Sequence, residues 1–137
     1  GFWNIFGDEI FGAGEERVRP WYYAWSLLCR TLRPGSDFFA VDVQGAAGVK
    51  AIAAVEDGRH TVAVVNVSGE PRRVRIECPD WNRLERAACY RYGEGLMRTE
   101  GDHVLLPDAT ILRVDLAAGA EYDLPGESMI LLTEQNG

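Results

Sequence analysis

Lysine is nearly absent from this chain. Its basic side chains are thirteen Arg and one Lys, Lys50, set against 21 Asp and Glu for a net charge of −7. Binding nucleic acid requires a basic stripe that displaces counterions, so no nucleic-acid partner is expected. Cysteine is scarce too: Cys29, Cys78 and Cys89 are too few and too scattered for a disulfide framework or a zinc site. A Cys78–Cys89 bridge between neighbouring strands is conceivable, but buried free thiols are the expectation. No apolar run approaches the roughly 20 residues of a membrane span, so no membrane partner is expected. The first residues lack a basic stretch followed by an apolar core, so no secretory leader is expected within them. Compartment stays open: a cytoplasmic setting is favoured, and secretion would need a leader upstream. No nucleophile elbow, phosphate loop or zinc motif occurs, so no cofactor and no metal are expected.

What is present is a well-packed chain. With 137 residues and 47% hydrophobic content it reads as one domain, with room for an appendage, and can bury roughly 68% of its unfolded surface without metal or disulfides. Residues 19–32 form its one convincing helix. Pro20 suits a first helical position, where its missing N–H is not needed. Glu15 and Glu16 before that start, and Arg30 and Arg33 near the end, follow the polarity of the helix dipole. Pro34-Gly35 stops the helix. Trp21, Trp25, Leu28 and Leu32 recur at helical spacing and form an apolar stripe, widened on either side by Tyr22, Leu27 and Cys29, that calls for a large partner surface.

Ahead of the helix, Phe2-Trp3-Asn4-Ile5-Phe6 reads as a short apolar strand, followed by a glycine-punctuated acidic loop with Asp8 and Glu9. Strand, loop and helix make one β/α unit, which cannot complete a barrel by itself. From Asp37 onward the hydrophobic period switches to two. Residues 38–43 read as a strand. Residues 49–56 and 61–67 form a hairpin closed by Asp57-Gly58 in a primed turn, its second strand apolar on both faces and therefore central. Arg72, Val74, Ile76 and Cys78 alternate with Arg73, Arg75 and Glu77 along a half-exposed edge strand. Ala88, Tyr90 and Tyr92 share a face, and residues 129–133 form an apolar final strand. Short strands about ten residues apart, joined by Gly, Pro and Asp turns, indicate a mainly β protein: an antiparallel β-sandwich of about eight strands with one N-terminal α-helix.

Single residues offer few sites. His60 and His103 read as surface histidines. Asn66-Val67-Ser68 matches a glycosylation sequon, but Asn66 lies inside a strand, and a chance match is expected. Trp81, in the polar loop Asp80-Trp81-Asn82, could offer its face to a sugar ring, although such a Trp more often plugs the end of a core. Asp8 and Glu9 follow a strand, as barrel carboxylates do, but no second carboxylate is placed opposite them.

Taken together, FWNIFGD, the acidic loop, RPWYYAWSLLCRTLRPGSDF and the sandwich resemble the carboxy-terminal end of clan A glycoside hydrolases, such as families 39 and 30. Those enzymes carry a (β/α)8 barrel followed by a β-sandwich. Phe2-Trp3 with Asp8 is similar to their last barrel strand; Pro20, Tyr22 and Ala24 match their last barrel helix; VAVVNVS and DLPGESMILL are similar to their sandwich. The resemblance implies that residues 1–35 are the last β/α unit of a barrel and 36–137 the sandwich. It implies that Trp3 and Asp8 contact substrate, and that Trp21, Trp25, Leu28 and Leu32 form a domain interface. It also implies an O-glycosyl hydrolase as parent. The two glutamates of that chemistry come from the fourth and seventh barrel strands, which no segment here supplies. The expectation is a non-catalytic accessory domain whose partner is an N-terminal catalytic barrel. A carbohydrate-binding module that takes oligo- or polysaccharide is the second reading, and an independent interaction domain the third. If apolar surface is left uncovered, a homodimer can form through it.

Overall fold

Pro20 opens α1 (Pro20–Thr31) in a computed structural model that describes residues 20–43, 45, 47–81, 84–100 and 104–135. The helix stops where expected. Gly35 sits at φ 90°, and the Ser36 N–H donates to the Arg33 carbonyl at 3.1 Å.

Ten strands follow: β1 (Asp37–Ala40), β2 (Val49–Glu56), β3 (Arg59–Asn66), β4 (Arg72–Ile76), β5 (Leu84–Tyr92), β6 (Arg98–Glu100), β7 (Val104–Leu106), β8 (Ala109–Val114), β9 (Ala120–Leu124) and β10 (Ser128–Thr133). All their pairings are antiparallel. Six strands form one sheet in the order β1-β2-β3-β10-β5-β8, while β4-β9 and β6-β7 form two-stranded sheets. The mainly β, antiparallel expectation with one helix therefore holds. The strand expected over residues 38–43 is shorter than its apolar pattern suggests, and every residue of β1 is exposed.

The β2–β3 hairpin turns through Asp57 at φ 50° and Gly58 at φ 73°. Both values are positive, as a type I′ turn requires, and they match the right-handed twist of the flanking strands. In β3, alternate residues serve two separate cores. Val62 and Val64 pack with Ile130, Leu132, Val74, Ile76 and Leu124, the core between the large sheet and β4-β9. Ala63 packs with Leu131, Met129, Tyr90, Leu105 and Leu27, the core beneath α1 and β7. A strand buried on both faces is what its unbroken apolar run predicted.

Asn66 ends β3 fully buried, with relative exposure 0%. Its Nδ2 donates to the carbonyls of Glu70 (2.7 Å), Pro125 (3.1 Å) and Leu124 (3.2 Å). Its Oδ1 accepts from the Ser68 N–H (3.1 Å) and hydroxyl (2.6 Å). The turn into β4 and the turn out of β9 are thereby tied to the large sheet. They approach so closely that a Cβ at Gly126 would lie 2.5 Å from the Gly69 carbonyl oxygen. The sequon match is accidental, since this amide has no access to a glycosyl donor in the folded chain.

Asn66→Ala leaves several buried carbonyls without donors, and should cost about 2–3 kcal/mol by the desolvation of unsatisfied groups. Urea unfolding with an unchanged m-value checks this, and a loss below about 0.5 kcal/mol would contradict the assignment. A second expectation concerns alkali. Burial raises the pKa of the Cys89 and Cys78 thiols and of the Tyr122 and Tyr92 phenols, so the folded chain favours their neutral forms. Their contribution is complete below the unfolded-state values, about 8.5 for Cys and 10 for Tyr, and is lost as pH rises through the higher folded values. Thermal stability should therefore fall above about pH 9, less steeply in Cys89→Ala measured against its own neutral-pH baseline.

Candidate functional site

The helix was expected to present Trp21, Trp25, Leu28 and Leu32 as one stripe. The structure divides that set. Leu27 is fully buried, and Tyr23, Ala24 and Leu28 pack with it against the large sheet, while Thr31, one turn on, is 1% exposed. These positions repeat at three and four residues and define the inward face. Trp25 is 50% exposed, Cys29 is exposed and Leu32 is half-buried, at spacings that place them on the opposite face. The side chain of Trp21 lies outside the described part, as do Trp3, Asp8, Glu9 and His103. Of the expected stripe, Leu28 packs inward beside Leu27, whereas Trp25 stays half exposed. The reason is size: beneath the helix lie Ala63, Leu131 and Tyr90, a surface that admits Leu27 and Ala24 more closely than an indole.

Arg30 anchors the helix end to the sheet. Its Nη2 donates to the Leu105 carbonyl at 3.2 Å, and its guanidinium lies 5.8 Å from the Tyr90 ring centre. Exposed apolar side chains continue beyond the helix, with Phe38 at 53% and Ile52 at 37% exposure. By register both lie on the face of the large sheet that α1 covers further along, since Phe38 pairs with Ala54, and Ile52 with Ala63.

Trp81 is half-buried and packs against the core under β4-β9. Its ring centre lies 4.5 Å from that of His60. His60, expected on the surface, is instead bound to Glu134 from the end of the last strand. Its Nδ1–H donates to Oε1 at 2.7 Å, and its backbone N–H donates to the same oxygen at 3.1 Å. The other carboxylate oxygen accepts from the Glu85 N–H at 3.1 Å. Glu134 thus closes the open ends of β3 and β5. The residues lie 74 apart, and neither shows a local motif, so sequence reasoning had no signal for the pair.

A shallow groove of about 840 Å³ runs beside β9, lined in part by Arg72, Arg73, Arg91, Asp108, Glu121 and Asp123. Its charges balance and are largely spent on one another. Arg73 binds Glu121 at 2.9 Å and Asp123 at 3.1 Å, and Arg91 donates to the Asp123 carbonyl at 2.9 Å. Arg73 is held protonated still more firmly, first by the Glu121 hydrogen bond and then by the Asp123 charge. Such a ladder is a solvated strand face. All three cysteines are free thiols, so the Cys78–Cys89 bridge is not formed. Among the described residues no group of His, Cys, Asp or Glu is placed to hold a metal ion.

No protein-family model matches the chain, and no curated protein matches it by sequence. Solved structures do match. The chain is similar to a family 30 glycoside hydrolase endoxylanase of Clostridium papyrosolvens, with TM-score 0.64 and 13% identity over 87% of this chain and 28% of that one. It is also similar to a family 30, subfamily 8 xylanase of Clostridium acetobutylicum, with TM-score 0.66 and 9% identity over 88% of this chain and 29% of that one. At these identities the likeness is one of fold, and at that level it meets the resemblance to clan A glycoside hydrolases. The chain spans less than a third of the length of either structure.

Glu134→Gln replaces an acceptor of backbone N–H groups with a side chain that presents an N–H of its own. The loss should be about 1–2 kcal/mol in urea unfolding, with a change in Trp81 fluorescence as His60 is released. An unchanged midpoint would show that the pair carries no weight.

Proposed function

We propose that this chain is the accessory β-sandwich of a larger glycoside hydrolase. In this reading residues 1–35 belong to the last β/α unit of a catalytic (β/α)8 barrel and residues 36–137 form the sandwich that stiffens it. The observation that carries the proposal is the two-faced helix. One face, around Leu27, belongs to the sandwich core; on the other, Trp25 is 50% exposed, Cys29 is exposed and Leu32 is half-buried. A solitary domain gains nothing from an exposed tryptophan there, whereas a helix shared between a barrel and a sandwich must be apolar on both sides. The similar structures are named as xylanases and are more than three times longer than their matched part, which leaves room for a catalytic unit. The domain itself does no chemistry in this proposal. Trp3 and Asp8 would contact substrate as part of the barrel, with both catalytic glutamates supplied from elsewhere.

The barrel reading makes Trp25 a context-dependent residue. Trp25→Lys should change the stability of the isolated chain by less than about 0.5 kcal/mol but lower that of the parent protein by about 2 kcal/mol or more. Equal effects in the two proteins would sink the proposal. The isolated chain should also self-associate through this face, seen as a rising sedimentation coefficient across a concentration series. Xylo-, manno- and gluco-oligosaccharides should leave its tryptophan fluorescence unchanged. A saturable change that Trp81→Ala abolishes would instead establish the carbohydrate-binding reading.

A further inference from the structure

Among the described residues, both edges of the six-stranded sheet are free: β1 pairs with β2 alone and β8 with β5 alone. They are guarded differently. On β8, Arg113 stands out into solvent beside Glu85, a charge that opposes the addition of another strand. β1 has no such guard. Its residues, Asp-Phe-Phe-Ala, are all exposed, Phe38 at 53% and Phe39 at 48%. By register Phe38 lies level with Ala54 on the side that carries α1, and Phe39 level with Ala53 on the other. A surface laid against one face covers one ring and leaves the other open. A strand added in line with β1 borders both.

We propose that this strand is β1 of a second copy, paired antiparallel about a two-fold axis with Phe39 opposite Phe39. The residues around Phe39 carry that choice of occupant. Partners across an antiparallel ladder point to the same face, so a strand that pairs with itself is centred on a residue. Three centres lie within reach. Centred on Phe38, the ladder sets Asp37 against Phe39; centred on Ala40, it sets Phe38 against Asp42. Each of these presses a carboxylate onto an aromatic ring that desolvates it. Centred on Phe39, the ladder sets Phe38 against Ala40, large against small, while Asp37 meets Val41 and Asp42 meets Ser36 at the rim. The two Phe39 rings then form an aromatic cross-strand pair at the axis. On that face the row Val62, Ala53, Phe39 runs on into its copy, so the two cores join. On the other face Phe38 lies beside Ala40 of the second copy and, one strand further, its Ile52, which is 37% exposed. Such a contact is isologous and closes at two copies. It does not depend on the barrel reading, and it is separate from association through Trp25 on α1.

Sedimentation equilibrium of the 137-residue chain carrying Trp25→Lys, which removes association through the helix, tests this. The chain should reach a limiting mass of two copies and no more. Adding Phe39→Lys sets two cations opposite each other at the axis, and should raise the dimer dissociation constant by at least about 10-fold. Because Phe39 is exposed, the same change should leave the monomer's melting temperature within about 3 °C. Phe39→Glu should weaken the dimer in the same way. Mixing the Phe39→Lys and Phe39→Glu chains should restore a dimer, since the opposed charges then attract. A Trp25→Lys chain that stays monomeric across the concentration series overturns the proposal and leaves the edge to a strand of another protein. A dimer that Phe39→Lys leaves unchanged overturns it too, as does a mixture of the two charged variants that stays monomeric.

Discussion

A single carboxamide holds the two layers of this sandwich in place. Asn66 sits at the end of β3, and its hydrogen bonds reach the turn that leads into β4 and the turn that leaves β9. The small sheet is joined to the large one by packing across the core, but packing is indifferent to small slides. Directional bonds to three carbonyls and one N–H fix where β4-β9 lies. With that position fixed, Val74, Ile76 and Leu124 meet Val62, Val64 and Ile130 in one core. A buried amide also costs a great deal when unmatched, so misplaced arrangements of the two turns are penalised twice.

On the other side of the sheet the governing constraint is the shape of the surface under α1. The small side chain of Ala63 beside Leu131 admits Leu27, and Arg30 ties the last turn to β7. Trp25 is then turned away by helical geometry alone, since residues two apart cannot both point inward. One physical fact thus has two consequences: Leu27 is fully buried on the sheet, and Trp25 stays 50% exposed.

Most of the β architecture was legible in the sequence because its signals are local. Asp57-Gly58 states its turn type, the run from Thr61 to Val65 states burial on both sides, and the alternation around Val74 and Ile76 states a half-covered edge. What was not legible depends on partners far apart in the chain. The Asn66 amide reads as a chance sequon until Leu124 and Pro125 are seen beside it. His60 reads as a surface residue until Glu134 arrives from 74 positions away. Period alone gives a helix its apolar stripe but not its orientation, and here Leu28 of that stripe turns inward with Leu27 while Trp25 stays half exposed. Arg86 is a further case: at φ 54° it breaks the strand alternation, so Leu84 and Ala87 share the same core despite their odd spacing.

The unequal layers leave apolar side chains exposed on both sides of the large sheet. A two-stranded sheet cannot cover a six-stranded one, and β1 and β2 are left with apolar groups open on both faces: Phe39 on one, Phe38 and Ile52 on the other. A free-standing protein would be expected to blunt such an edge with lysines or prolines. Here the strand reads Asp-Phe-Phe-Ala, with charge at only one end. The cost of exposing these side chains is about 25 cal/mol for each Å² of apolar surface, which a single docking event on each face would recover. Phe38 and Ile52 lie on the side of the large sheet that carries α1 and Phe39 on the other, so no single flat surface covers all three.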